Sequence, residues 1–376
     1  MKKARLKMYL SIMPVLVLLI ASCCSDDNSG GTSNNFDRQA MLVIWADHLI
    51  IPAYRAFQTK MTALKSASDI FVQTPTEANL LILRQEWQAA YIAWQSVSMF
   101  EIGPAEDMQY RGFMNIYPTD ATSIENSIAS GTYSLVSVST QDEQGFPAID
   151  YLINGLSDVS DSEIVNFYTS NANAAGYKAY LNDVITKMNT LTTQVISDWQ
   201  GSYRNTFVSN SGSSASSTVD RFVNDYIFYY EKALRAGKIG IPAGVFSNNI
   251  LPGNVEAYYK ADLSKQLFNT ALNAVQDFFN GKHFNSNTTG ASLKSYLDFL
   301  NTIKNGEDLS TLINNQFDAT RSSAINLSTN FANQVQNNNT QMLATYDQLQ
   351  ANVVLLKVDM LQALDINVDF VDADGD

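Results

Sequence analysis

The chain has 376 residues, 45% of them hydrophobic, which excludes wholesale disorder and, at about 150 residues per domain, points to two domains. Its formal charge of -13, from 37 acidic against 24 basic side chains, excludes the net basic face that phosphate recognition needs, so no nucleic-acid partner is expected. With two histidines, and with both cysteines (Cys23 and Cys24) at the very start, the body cannot assemble a zinc site of Cys/His type.

MKKARLK is a basic n-region and MYLSIMPVLVLLI an apolar h-region too short to span a membrane as a mature helix, so residues 1–22 read as a targeting signal. Ile20-Ala21-Ser22-Cys23 closes it with small residues before a cysteine. This resembles a bacterial lipobox, which would make Cys23 the lipidated first residue and the membrane the first partner; an ordinary signal peptide is the alternative. Residues 23–36, which include Ser25-Asp26-Asp27-Asn28 and SGGTSNN, are too polar to fold and form a flexible tether. Acidic residues just past the cysteine also resemble a surface-export signal of lipoproteins in some gut-dwelling bacteria. The expected address is the cell envelope of a Gram-negative bacterium, as an outer-membrane lipoprotein on the periplasmic or the outer face. With no cysteine left for a disulfide, stability must come from packing.

The body is expected to be all-α, as two helical bundles of the four-helix type, an arrangement a duplication would produce. The first bundle takes residues 37–208, a serine-rich linker 209–220, and the second bundle with its acidic tail 221–376. MLVIWADHLIIPAYRAFQTKMTALKSASDIF has helical period, with Pro52 expected to kink or end it. Thr74-Pro75-Thr76-Glu77 reads as a capping box with proline at N1, opening a helix on which Leu80, Leu83, Trp87, Tyr91, Trp94 and Ser98 share one face. From about 101 to 146 the pattern dissolves into Gly, Pro, Tyr and Asp, a connection long enough to be a functional loop. Helical period resumes at about 173, and SNSGSSASSTVD, with six serines, offers no packing face. RFVNDYIFYYEKALRAG, EAYYKADLSKQLFNTALNAVQDFF, SLKSYLDFLNTIKN and segments around 308–337 and 340–365 complete the second half.

The chemistry is narrowed by what is missing. There is no GxSxG, HExxH or phosphate-binding glycine loop. Any cofactor would be an oxygen-ligated cation, iron or calcium, drawn to carboxylates and tyrosines. His48 is a candidate proton carrier or ligand, although nothing in the sequence places a partner beside it; His283, in NGKHF, is expected in a solvated turn. The ending DFVDADGD spaces carboxylates like half a calcium loop but stops before the twelfth-position glutamate.

Several stretches occur in an order of their own: Pro52-Ala53-Tyr54-Arg55-Ala56-Phe57, Trp87 and Trp94, Phe100-Glu101-Ile102-Gly103-Pro104, Tyr117-Pro118, Gly145 to Leu152, Lys238-Ile239-Gly240-Ile241-Pro242, Val255-Glu256-Ala257-Tyr258, and the DADGD end. Together they resemble the imelysin-like family, bacterial envelope proteins of two helical domains that are classed as peptidases and linked with iron uptake. The family's Gly-x-His-x-x-Glu signature aligns with Gly145-Phe146-Pro147-Ala148-Ile149-Asp150, so proline stands at the histidine and aspartate at the glutamate. A further acidic position, four residues after the second tryptophan, falls on Ser98. The resemblance therefore implies iron-uptake partners but leaves the metallopeptidase chemistry without its base, because proline neither ligates nor transfers protons. Physics also supplies a plain account of GFPAIDYL, with Pro147 at the first helical position, Asp150 in the opening turn, and Ile149 and Leu152 facing the core. The expected function is a non-catalytic envelope protein binding a small ligand or hard cation. The alternatives are a metallopeptidase and a structural, partner-docking lipoprotein. Asp150, Pro147, Ser98, Glu101, Tyr117, Asp120 and His48 are the candidate pocket residues, with Asp150 the candidate metal ligand.

Overall fold

Apolar side chains at three- and four-residue steps wind the body into helices, and the observed fold is all-α. The computed structural model describes residues 35–370; the signal, Cys23, most of the tether and the end of the acidic tail lie outside the described residues.

Helix α1 (Arg38–Ile44) is capped by the Asp37 carboxylate, which accepts from the Ala40 N–H at 2.9 Å. It runs through π-helical turns at Trp45–Ile50 into α2 (Ile51–Gln73). Pro52 does not end this helix. It falls in the first turn of α2, and the wider turns before it accommodate a residue that has no N–H to give. A short connection folds α3 (Glu77–Trp94) back onto α2. Its cap is Thr76, accepting from Asn79 N–H at 3.2 Å, so the expected box at Thr74 is displaced by two residues. Pro75 is the reason: it keeps the residue before it out of helical geometry and so moves the start onward. Leu80, Leu83, Trp87, Tyr91 and Trp94 are buried as their spacing predicts, with Ser98 buried in the turn beyond the helix end.

The 101–146 connection is not open loop. It holds α4 (Pro104–Asp107), α5 (Tyr110–Met114) and α6 (Ala121–Ser130), then a 3-10 turn at Val138–Glu143 that leads into α7 (Gly145–Asp150). The first two are too short to repeat an apolar face, so periodicity could not find them. After α8 (Asp161–Phe167) comes α9 (Ala174–Asp198); α2 packs against both α3 and α9.

Helix α10 (Arg204–Ser209) ends where the serine-rich stretch begins, and α11 (Thr218–Phe228) starts before it is over. Ser217, fully buried, caps α11, and Asp220 pairs with Arg38 at 2.8 Å. The stretch 209–220 thus joins packed helices, and the chain from Asp37 onward clusters as one unit. Helix α11 continues as a π-helix over Tyr229–Gly240. Then come α12 (Ser264–Phe279), α13 (Leu293–Phe299), α14 (Leu309–Ala324), α15 (Phe331–Asn337), α16 (Asn339–Val353) and, beyond another π segment, α17 (Leu361–Leu364). SLKSYLDFLNTIKN is helical only to Phe299; Ile303–Lys304 pairs antiparallel with Glu307–Asp308 across an Asn305-Gly306 turn in which both residues have positive φ. Helix α16 packs on α14 and on the π-helix, which brings Tyr229 to Lys238 toward α3.

Candidate functional site

The segment Gly145–Asp150 lies wholly in the core. Gly145 has φ +78°, and a Cβ there would stand 2.4 Å from the Met114 carbonyl oxygen, so only glycine allows this approach. Phe146 stacks on Tyr91 with centroids 4.4 Å apart, while its carbonyl accepts from Trp87 Nε1 at 3.2 Å. Pro147 occupies the third helical position rather than the expected first, still within the turn whose N–H groups have no intrahelical acceptor. Asp150 closes the α-helical turns instead of opening them. Its carboxylate accepts from the main-chain N–H groups of Tyr259 (2.9 Å) and Lys260 (3.0 Å) and from Asn154 Nδ2 (2.9 Å), pinning the loop after Glu256.

Burial outweighs those three hydrogen bonds and pushes the Asp150 carboxyl from 3.8 up to about 7. Glu101, also desolvated, rises to about 7 although Arg111 opposes the shift. Both groups keep a proton in the fold between roughly pH 4 and 7, where the unfolded chain has lost it. Folding takes up protons across that window, so this part of the stability is present at its acid end and is lost as pH rises through 7. Urea midpoints measured from pH 5 to 8 should show a native-minus-Asp150→Asn difference that shrinks with rising pH; a difference growing with pH would contradict the protonated carboxyl.

Beyond Tyr91 the polar groups converge. The Tyr91 hydroxyl donates to Asn115 Oδ1 (2.6 Å), and Asn115 Nδ2 (2.8 Å) and Gln95 Nε2 (3.1 Å) both donate to Glu256 Oε1. Lys238 Nζ donates to Gln95 Oε1 at 2.9 Å and to the other Glu256 oxygen. The Lys238 and Glu256 side chains are only 4% and 2% exposed. Desolvation draws the Lys238 ammonium below its ordinary 10.5, with Glu256 acting against it.

Against this network lies a cavity of about 260 Å³ whose walls include Trp94, Ser98, Arg111, Tyr117, Tyr229 and Lys238. Ser98 Oγ donates to the Tyr229 hydroxyl at 2.8 Å. Arg111 donates through Nε to the Ser98 carbonyl at 2.8 Å and through Nη2 to Asp225 at 3.0 Å, with the Tyr229 ring 5.4 Å away. The main-chain N–H of Arg111 is held by the Glu101 carboxylate at 3.0 and 2.9 Å.

Of the candidate residues, Ser98 and Tyr117 line this cavity. Glu101 touches it through Arg111 and faces a neighbouring cavity of about 240 Å³ with Asp225 and Arg221. Pro147 and Asp150 sit in the core, and Asp120 is the cap of α6, accepting from Ser123 N–H at 2.9 Å, which holds its carboxyl below 3.8. His48 does have a neighbour: its ring stacks on His283 at 4.3 Å. His283, still in a turn, is half-buried rather than solvated: its Nε2 is buried without a hydrogen bond among the described residues, and desolvation lowers its pKa. Gln95, Asn115 and Tyr229 were not singled out from the sequence, and Lys238 and Glu256 entered only as landmarks of the resemblance, not as candidate pocket residues. One signal was available, a lysine embedded in the apolar run Ile239-Gly240-Ile241.

Among the described residues no group of three or more His, Cys, Asp and Glu side chains could hold a metal ion. At the aligned signature Pro147 offers no ligand and the Asp150 oxygens already accept three N–H groups, so a hydrolytic metal does not fit there.

The fold is shared with solved structures. An iron-regulated protein A precursor from Parabacteroides distasonis superposes with a TM-score of 0.71 at 18% identity, over 87% of this chain and 95% of that one. An imelysin-like protein from Psychrobacter arcticum gives 0.68 at 18% identity, over 89% and 97%. In sequence, the iron-regulated protein A of Synechococcus elongatus is 29% identical over 109 residues, 29% of this chain and 30% of that protein, so the match spans under a third of the relative's length. The Imelysin family model matches residues 50–356, which is most of the helical body, and the chain belongs to the imelysin family.

Proposed function

We propose that the protein is a non-catalytic, lipid-anchored component of the cell envelope that serves iron acquisition by binding a small ligand in the cavity beside Ser98, Tyr117 and Lys238. The observation that carries this reading is how Asp150 is used. Its carboxylate holds main-chain N–H groups of the Tyr259–Lys260 turn, while the nearby cavity presents hydroxyl, amide and cationic groups to solvent-sized space. Such a pocket, apolar-walled with a few polar groups, is the usual form of a small-molecule site. Relatives named iron-regulated protein A support the iron connection, and the lipobox-like Ile20-Ala21-Ser22-Cys23 supports the anchor.

Calorimetric titration of the purified protein with a panel of small acids, alcohols and amides, each with and without ferric iron, tests the reading, with Ala233→Trp, which fills the cavity, run in parallel. Heat from one compound small enough for about 260 Å³ that disappears in Ala233→Trp is expected. No heat from any of them would overturn it, and chelator-sensitive cleavage of casein would replace it with the peptidase reading.

A further inference from the structure

Taking that cavity as a ligand site, we infer that its occupant is a small monocarboxylate with an apolar body. The walls contain Arg111, Lys232 and Lys238 but no aspartate or glutamate, which disfavours a bare cation. Three donors on lining residues have no protein acceptor among the described residues. The Tyr229 hydroxyl receives the Ser98 proton and still has its own to give. Arg111 uses Nε and Nη2, leaving Nη1. The Tyr117 hydroxyl makes no hydrogen bond among the described residues, and it lies over Gly237, where a Cβ would stand 3.1 Å from it.

Two of the wall acceptors, by contrast, are occupied: Gln95 Oε1 takes Lys238, and Asn115 Oδ1 takes the Tyr91 hydroxyl. Asn254 can turn either end of its amide toward the space. A ligand entering here must therefore bring acceptors, and a carboxylate brings two oxygens able to take several N–H and O–H donors at once, each bond strengthened by its charge.

Charge and size narrow the class further. Arg111 is balanced by Asp225, Lys238 by Glu256 and Lys232 by Glu231, so the site has no large positive surplus to hold a phosphate or a polyanion. Trp94, Ile116, Phe228 and Ile241 supply apolar wall for the rest of the molecule. At about 260 Å³ the space falls just below the roughly 300–1,000 Å³ of drug-sized sites, room for one ring or a short branched chain.

Ligand-detected NMR and calorimetry with benzoate, 3-methylbutanoate, benzyl alcohol and inorganic phosphate decide the matter, on the native protein, on Tyr117→Phe and on Ala233→Trp. A carboxylate should bind at least tenfold more tightly than benzyl alcohol. Tyr117→Phe, checked by its unfolding midpoint to be folded, should weaken the carboxylate about tenfold and leave the alcohol within twofold, and Ala233→Trp should abolish binding. Benzyl alcohol binding as well as the carboxylates, with Ala233→Trp abolishing both, would overturn the carboxylate and leave the cavity as a ligand site. Phosphate binding more tightly than either carboxylate would likewise overturn it. Binding that Ala233→Trp leaves unchanged would overturn both the class and the site.

Discussion

Lys238→Met should destabilise the protein by about 3–5 kcal/mol, the cost of leaving the other member of a buried pair without its counter-charge. Glu256 is 2% exposed at its side chain and would keep only the Gln95 and Asn115 amides as donors. The double variant Lys238→Met, Glu256→Met should recover part of that loss, because replacing a buried pair with apolar side chains of similar volume is often neutral or favourable. Recovery should be incomplete, since Gln95 and Asn115 then lose the acceptor that organises them. Urea unfolding of these two, of Glu256→Met and of the native protein gives the coupling energy directly. A single-variant cost under about 1 kcal/mol would mean that water reaches the pair and screens it.

Phe146→Ala should cost a comparable amount, about 3–5 kcal/mol, at the upper end for a large-to-small change in a core. The ring is fully buried, parallel to Tyr91 at 4.4 Å and within 6.3 Å of both Phe57 and Trp94. These neighbours belong to α2 and α3, long helices that cannot close inward on a lost ring without dragging their other contacts. Phe146→Leu, which keeps most of the volume, should cost less than half as much in the same urea titration. If the alanine variant unfolded like the native chain, the segment would be a surface strap with spare adaptability and its core placement would be wrong.

The long helices were legible because each repeats its apolar face often enough to be counted. The stripe from Leu80 to Trp94 is buried residue for residue, and Ser98 stays buried even though α3 has ended. The short helices between Pro104 and Met114 were not legible, since four or five residues repeat nothing, and their geometry comes from what packs on them. The Thr-x-x-Glu pattern announced a helix start but could not show how Pro75 shifts it.

At the site, the resemblance brought Ser98, Tyr117, Lys238 and Glu256 into view as separate landmarks. Their convergence was invisible for a physical reason: Gln95 and Glu256 are 161 positions apart, and no local pattern encodes a contact at that separation. The stacking of His48 on His283, 4.3 Å apart, was hidden in the same way. Asp150 was singled out as a pocket residue and metal ligand in an opening turn, whereas it is buried with two main-chain N–H groups and Asn154 as its donors, and sequence does not distinguish those N–H groups from any others.

The π-helical stretch from Tyr229 to Gly240 gives the cavity wall an uncommon kind of adjustability. Its five-residue hydrogen-bond step spends more chain per turn than an α-helix of the same length, so Tyr229, Ala233 and Lys238 reach the space at four- and five-residue intervals. Losing one residue there would let the turn tighten and swing Lys238 away from Glu256 while α11 stayed seated. In this fold, then, the shape of the chamber can be retuned by a change in chain length at one spot, without repainting the side chains that face it.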